Sequence, residues 1–283
     1  MRIQYKRDNL RRSLPEGFIH PTQSKQYLKA AFASKIAFLG KPPYLGALCD
    51  FGWIKFEYFT GEAEPQKSQQ KGIGVQIWHQ VKRDKAPKTW WPLITILRRS
   101  SIALIDLEGI GEEYWRDWSE HTRRQRKKWY AQKTHYINEA TKEEFLEAYQ
   151  HCTLKPSLKS LFSHSLRRHV ESYQENVHFL VVREKSTQTI IAGFMTVDDF
   201  ETSQSFYPVA FILPVAKNTA ASVGLVEYWL HSCQKKGLRY INLGIVWMPG
   251  DPLSWKGYSQ FKALFHPQIL LFQKPLVRFY WNR

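Results

Sequence analysis

Between His178 and Leu243 the sequence changes its period once, and that change narrows the possible architectures to a few. His178 to Arg183, Ile190 to Val197 and Gln204 to Leu213 alternate apolar and polar residues as half-buried strands do. Ser186-Thr-Gln188 separates the first two, so the three read as a meander. Thr219 to Lys236 instead gathers Val223, Val226, Trp229, Leu230 and Cys233 on one helical face. It closes at Gly237, ahead of a further strand, Arg239 to Leu243. A helix between two strands is the connection that a parallel pair requires. The expected architecture is therefore α+β, a mixed sheet with flanking helices. Such a sheet splays where its parallel pair begins, and the gap is a common ligand site.

The flanking sequence extends this frame. Thr141-Lys-Glu-Glu144 has the spacing of a capping box and opens an amphipathic helix ending before Pro156, and Ser157 to Glu175 forms another. Glu112 to Gln132 contains neither Pro nor Gly and spaces Tyr114, Trp115, Trp118, Thr122 and Trp129 as one basic helix would. Near the C-terminus a short helix is expected around Ser254 to Leu264, then strands at Gln268 to Gln273 and Val277 to Trp281. Toward the N-terminus, a basic arm with Pro15, Gly17 and Pro21 leads to a helix capped by Thr22 that runs to about Ser34, and Gly40-Lys-Pro-Pro43 stops it. Asp50 to Phe59 and Gly72 to Arg83 read as antiparallel strands with a long polar connection, Gly61 to Lys71. Leu93 to Leu97 and Ile102 to Leu107 read as further strands. The pattern changes near Asp106 to Gly111, which divides the chain into a smaller α/β region, 1–106, and a second domain, 107–283.

Charge and composition limit the function. The 283 residues carry 41 Lys and Arg against 25 Asp and Glu, a net charge of +16, and 15% are aromatic. So many aromatics exclude disorder as the main state. The positive field either serves solubility or attracts nucleic acid, an anionic membrane surface or phosphate-bearing substrates. Cys49, Cys152 and Cys233 form no paired motif, which suits buried reduced thiols. The charged start has no apolar signal core, and Phe206 to Ala216, the longest nearly apolar run, is too short to cross a bilayer. A cytoplasmic protein is expected. The histidines form no metal-ligand spacing, and there is no serine-nucleophile elbow or Walker sequence, so no metal is expected and hydrolase and P-loop chemistry fall away.

Three segments carry a resemblance. Ile102-Ala-Leu-Ile-Asp-Leu107, followed by Trp118-Ser119 and the run Arg123-Arg124-Gln-Arg126-Lys127-Lys128, resembles a segment of the FemABX peptidoglycan bridge-forming aminoacyltransferases. Lys236-Gly237-Leu-Arg-Tyr240-Ile-Asn-Leu-Gly244 resembles their Tyr-Asp-Leu-Gly strand, and Gly257-Tyr-Ser-Gln-Phe261-Lys262-Ala-Leu-Phe265 their Phe-Lys signature, in the same order. Asn242 stands where the family prefers Asp, His266-Pro267 where it prefers Gly, and Trp129 where it has a small residue. The resemblance, which spans Ile102 to the C-terminus, implies the GNAT acyltransferase fold. That fold is usually present twice in the family, and here it follows a reduced first copy. It implies transfer of an aminoacyl group from aminoacyl-tRNA to an amine of a peptidoglycan precursor or peptide, with tRNA as a partner.

The resemblance places Lys262 at the active site as the cation that neutralises a developing oxyanion, with Phe261 shaping the pocket. The alternative is an exposed lysine on a short helix whose Phe261, Leu264 and Phe265 face the core. Arg123 and Lys127, one turn apart, are the expected contacts to tRNA phosphates or a nucleotide-linked precursor. The rest of the series Arg124, Arg126, Lys128 and Lys133 is expected to be largely a solvated face. Trp118, Trp129 and Tyr130 either stack on bases or belong to the core. Tyr207, before Pro208, and Tyr258 offer hydroxyls to substrate. Lys217-Asn218-Thr219, where the crossover helix begins, offers groups to a donor phosphate but lacks the paired glycines of a pyrophosphate loop. That absence favours aminoacyl-tRNA over acetyl-CoA as donor. The competing functions are a CoA-dependent N-acetyltransferase and a non-catalytic basic nucleic-acid-binding protein.

Overall fold

A computed structural model of the chain describes residues 10–11, 15–16, 18–32, 36–39, 46–61, 63–80, 87–93, 101–249, 251, 253, 256–272 and 275–282. The strands are β1 (Leu10–Arg11), β2 (Ile36–Leu39), β3 (Gly46–Asp50), β4 (Ile54–Gly61), β5 (Gly72–Gln80), β6 (Trp91–Pro92), β7 (Ile102–Asp106), β8 (His135–Glu139), β9 (Val177–Glu184), β10 (Ile190–Asp199), β11 (Gln204–Ile212), β12 (Tyr240–Ile245), β13 (Gln268–Leu270) and β14 (Leu276–Asn282). The helices are α1 (Lys25–Phe32), α2 (Glu120–Ala131), α3 (Lys142–Gln150), α4 (Pro156–Tyr173), α5 (Ala221–Lys235) and α6 (Lys256–Ala263). The expected strand at Leu93 to Leu97 lies, beyond Leu93, outside the described residues.

The chain forms two compact units. The first holds Met1–Ala103, Ile245–Gln260 and Gln268–Arg283, and the second Leu104–Gly244 with Phe261–Pro267. The sequence pattern alone suggests one boundary after Asp106. In the structure β14 returns to the first unit, because it pairs antiparallel with β5 along its whole length, from Leu276 opposite Trp78 to Asn282 opposite Gly72.

The first unit is built on a six-stranded sheet in the order β2-β3-β4-β5-β14-β6. It also contains a short parallel pair, β1 and β13, with Leu10 opposite Ile269. β4 and β5 run parallel, which corrects the antiparallel expectation. The cause is the polar segment between them, which returns along one face of the sheet instead of turning at its end. Arg278 holds it there, donating to the carbonyls of Pro65 and Gln66, to Glu64 Oε1 at 3.1 Å and to Gln76 Oε1 at 2.7 Å. Gln76 donates to the buried Glu57, and Asn282 donates to the carbonyls of Ser68 and Gln70. Every one of these polar groups exchanges water for a fixed partner, so the face can be buried. On the opposite face Leu28 of α1 packs against Ala47, Ile36, Phe38 and Tyr58. Thr22 does not cap this helix. Ser24 does, its Oγ accepting from Tyr27 N at 3.2 Å, while the Thr22 hydroxyl lies 2.6 Å from both Thr60 Oγ1 and His20 Nδ1. Burial, with His79 nearby, pushes the His20 pKa down to about 3.

In the second unit the strands run β7-β12-β11-β10-β9-β8. The meander is present: β9, β10 and β11 pair antiparallel in turn, and β12 pairs parallel with β11 after the α5 crossover. β8, a short and half-buried edge strand on β9, gives no signal in the alternation because it carries as many polar as apolar side chains. The capping box at Thr141 and Glu144 closes as expected. α3 and α4 cover one face through Phe145, which meets Phe179 and Phe211, and Tyr173, which meets Phe206. α5 covers the other, with Trp229 against Tyr207 and its indole donating to Ser205. Asp198, wholly buried, accepts from Lys236 at 2.7 Å and Ser205 at 2.6 Å and ties the end of α5 to the strands.

The basic helix is shorter than expected. A single 3₁₀ turn, Tyr114–Asp117, precedes it, and the chain breaks at the buried Trp118, where Ser119 accepts from Thr122 N and starts α2 afresh. α2 lies close against α5 because Gly224 leaves room for Trp129. A Cβ at Gly224 would sit 2.4 Å from the indole. Gly224→Ala is therefore expected to destabilise the protein by about 1–3 kcal/mol, despite the better helix propensity of alanine. Denaturant titration together with the tryptophan emission maximum checks this, since a displaced Trp129 shifts the emission to the red.

Candidate active site

The site begins where two strands part. β11 and β12 pair over only three positions, Gln204 with Tyr240, Ser205 with Ile241 and Phe206 with Asn242. Immediately beyond, the β10–β11 register slips by one: Met195 faces Val209 and Val197 faces Phe206, so Tyr207 and Pro208 together oppose Thr196. A bulge of this kind bends its strand and re-aims the side chain it carries. On the other strand Asn242 stays in place, donating to Gln204 Oε1 and accepting from Gly244 N at 2.8 Å. Gly244 turns the chain with φ +76°. The gap expected from the topology thus opens between Tyr207 and Gly244.

Lys262 fills that gap. It sits in the last turn of α6, its side chain is buried, and its Nζ lies 5.8 Å from the centre of the Tyr207 ring. A Cβ on Gly244 would come within 3.5 Å of the same nitrogen. Burial pushes the Lys262 pKa down from its ordinary value to about 7, because a cation leaves water for an interior that solvates it poorly. The exposed-lysine alternative is thereby overturned. Tyr207 stacks on Phe194 at 5.3 Å, and burial raises its pKa, so its hydroxyl stays protonated. Phe261 meets Phe265 at 5.2 Å, and Phe265 meets Trp118 at 5.0 Å, so Phe261 anchors the segment that bears Lys262. Tyr258 falls on α6, but its side chain lies outside the described residues.

The start of α2 is fastened to the same segment. Ser119 N and the Thr122 hydroxyl both donate to the carbonyl of Leu264. From there Arg123 and Lys127 line a cleft of about 670 Å³ with Arg124, Arg126, Trp115 and Tyr130. Arg126 does not behave as the sequence suggested. It is clamped between Trp115 and Tyr130, 4.7 Å from each ring, and its Nε donates at 2.7 Å to Glu227, which is buried on α5. The Tyr114 hydroxyl donates to the same oxygen at 2.7 Å. The signal for this was available in the sequence as one acid, Glu227, among the apolar positions of the crossover helix. Trp118 belongs to the core, while Tyr130 stays exposed beside Arg126.

The loop before α5 uses much of its own polarity. Lys217 N and Thr219 N donate to the carbonyls of Pro214 and Ala216, and the Thr219 hydroxyl donates to Ala216 O at 2.8 Å. Lys217 and Asn218 remain exposed at the helix start. Ala220 at φ +60° takes the N-cap position without a side-chain cap, where a glycine would relieve strain. Among the described residues no three His, Cys, Asp or Glu side chains come together as a metal-binding set, and no helix is long and apolar enough to cross a membrane.

No family model matches the sequence, and no curated protein matches it. Solved structures do. FemX aligns over 90% of this chain and 91% of its own with a TM-score of 0.63 at 6% identity. The C-terminal domain of a putative lysylphosphatidylglycerol synthetase from Agrobacterium fabrum aligns over 86% and 84% with a TM-score of 0.53 at 12% identity. L-PGS from Bacillus licheniformis aligns over 88% and 85% with a TM-score of 0.52 at 11% identity. At these identities the likeness is one of fold, and the fold is the one that the motif resemblance implied.

Proposed function

We propose that this protein is an acyltransferase that moves an aminoacyl group from aminoacyl-tRNA to an amine of a peptidoglycan precursor or peptide. The observation that carries the reading is the buried Lys262 in the splay between β11 and β12, on a fold shared with FemX. Attack of the amine on the ester carbonyl forms the C–N bond and puts negative charge on the carbonyl oxygen. The Lys262 ammonium donates to that oxyanion. Collapse breaks the ester C–O bond, and the proton lost by the amine passes to the departing ribose hydroxyl. A group titrating near neutrality, as Lys262 does, is suited to hold and release that proton. Tyr207 supplies a second, neutral donor at the gap, Phe261 and Tyr258 shape the pocket, and Arg123 and Lys127 hold phosphates of the tRNA.

Lys217, Asn218 and Thr219 are assigned to the donor phosphate on the same reading. The amides that a CoA pyrophosphate would need are partly spent inside that loop, which argues against acetyl-CoA. Thermal unfolding with aminoacyl-tRNA, uncharged tRNA and acetyl-CoA tests the choice. Stabilisation by aminoacyl-tRNA beyond the uncharged control, with labelled amino acid passing to an amine-bearing peptide, is the expected result. A shift with acetyl-CoA alone would move the protein to the acetyltransferases. Equal shifts with charged and uncharged tRNA and no transfer would leave a nucleic-acid-binding protein.

A further inference from the structure

One face of the first unit's sheet is covered over only half its area. The strand register places Tyr58, Ile77 and Val277 in one row across β4, β5 and β14, and Phe56, Val75 and Phe279 in the next. Ile54, Ile73 and Trp281 form a third row. α1 packs on Tyr58 and its neighbours. The other two rows face outward: Phe279 is 65% exposed, Trp281 72% and Ile73 49%. Trp91, 6.5 Å from Phe279, extends the patch on one side. On the other side the turn before β4 adds the exposed Phe51, 5.8 Å from Phe56, and Trp53, which is 80% exposed. Contiguous aromatics this exposed mark a contact surface on a protein whose other described tryptophans are buried or half-buried.

We propose that this aromatic face docks on an anionic bilayer surface, its Trp and Phe side chains entering the headgroup region. Three observations favour that occupant. The exposed side chains are chiefly Trp and Phe, the residues that settle at a membrane interface. The chain's +16 charge complements anionic headgroups, and the exposed Lys71 stands at the same sheet end, next to the row that holds Ile73 and Trp281. Cations do not alternate with the aromatics inside the patch as a base-stacking nucleic-acid groove requires. Arg278, the one cation of β14 beside them, points to the opposite face. The inference is independent of the transfer chemistry.

Co-sedimentation with phosphatidylcholine vesicles and with phosphatidylcholine–phosphatidylglycerol vesicles tests it, using full-length protein and the double variant Phe279→Ser, Trp281→Ser. Binding only to the anionic vesicles, weakening with salt, and quenching of tryptophan emission by brominated lipid are expected. The double variant should bind at least about tenfold more weakly at an unchanged unfolding midpoint, by the scale of two buried aromatic side chains. No binding to anionic vesicles would overturn the proposal. So would binding that the double variant leaves intact, since charge alone would then carry it. Sedimentation velocity without lipid supplies the remaining outcome: a wild-type dimer that the double variant dissociates would assign the face to a second copy and overturn the membrane reading.

Discussion

Lys262→Met is expected to lower aminoacyl transfer by about 100-fold or more, the scale of losing one oxyanion donor, and at the same time to make the protein more stable. The two effects share one cause. Burial lowers the folded-state pKa to about 7 while the unfolded chain keeps the ordinary lysine value, so between those values the unfolded state binds a proton that the folded state does not. Stability therefore rises with pH from about 7 upward and reaches its plateau only above the ordinary lysine pKa. Near neutrality the buried amine costs the fold at most about 4 kcal/mol, taking roughly 1.4 kcal/mol per pKa unit. Methionine has nearly the same length without the charge. Its stabilising effect should be largest at pH 7 and below and should shrink toward pH 10. Denaturant midpoints of both proteins across that range measure it. A destabilised variant with the same pH profile as the wild type would show that Lys262 is held by partners as a structural ion, and its loss of activity would then say nothing about the chemistry.

Arg126→Met should give the opposite pattern among neighbours on one helix, with stability lowered by about 3–5 kcal/mol, the usual result of stranding a buried charge. Glu227 is almost entirely enclosed, and Arg126 supplies its charged partner at 2.7 Å. Glu227→Gln should cost less, because Arg126 is partly exposed and can still reach water. Arg123→Ala and Lys127→Ala, on the exposed side, should leave the unfolding midpoint nearly unchanged and weaken tRNA binding. Each should also make that binding less sensitive to salt, because one cation fewer then displaces counterions from the phosphates. Urea titrations of the four variants, paired with tRNA binding at two salt concentrations, separate the roles. If Arg126→Met unfolded no more easily than Arg123→Ala, the clamp between Trp115, Tyr130 and Glu227 would be energetically idle.

Much of the second unit is legible without coordinates. The meander, the crossover and the capping box at Thr141 are set by residues within one element or its neighbour, and the expected gap lies where the strand order predicts it. Lys262 stands out through its motif, since a lone lysine on an eight-residue helix carries no periodic signal of its own. Other features are out of reach. β2, β3 and β8 are short and lack consistent alternation. Thr22 looks like a helix cap, but its hydroxyl is taken by a residue 38 positions away.

Which segments become helices or strands, which of their faces are apolar and which lysine matters all follow from the order of the amino acids. Packing in three dimensions set the rest: β4 and β5 run parallel, β14 returns to the first unit, Arg126 is a structural ion while Arg123 and Lys127 stay available, and Lys262 is buried. The division has a physical reason. Side-chain periodicity reports the environment of one element's faces, whereas strand direction follows from the path of the chain between strands. A charged group's pKa and role depend on how much water its neighbours exclude, and those neighbours lie far away in the sequence.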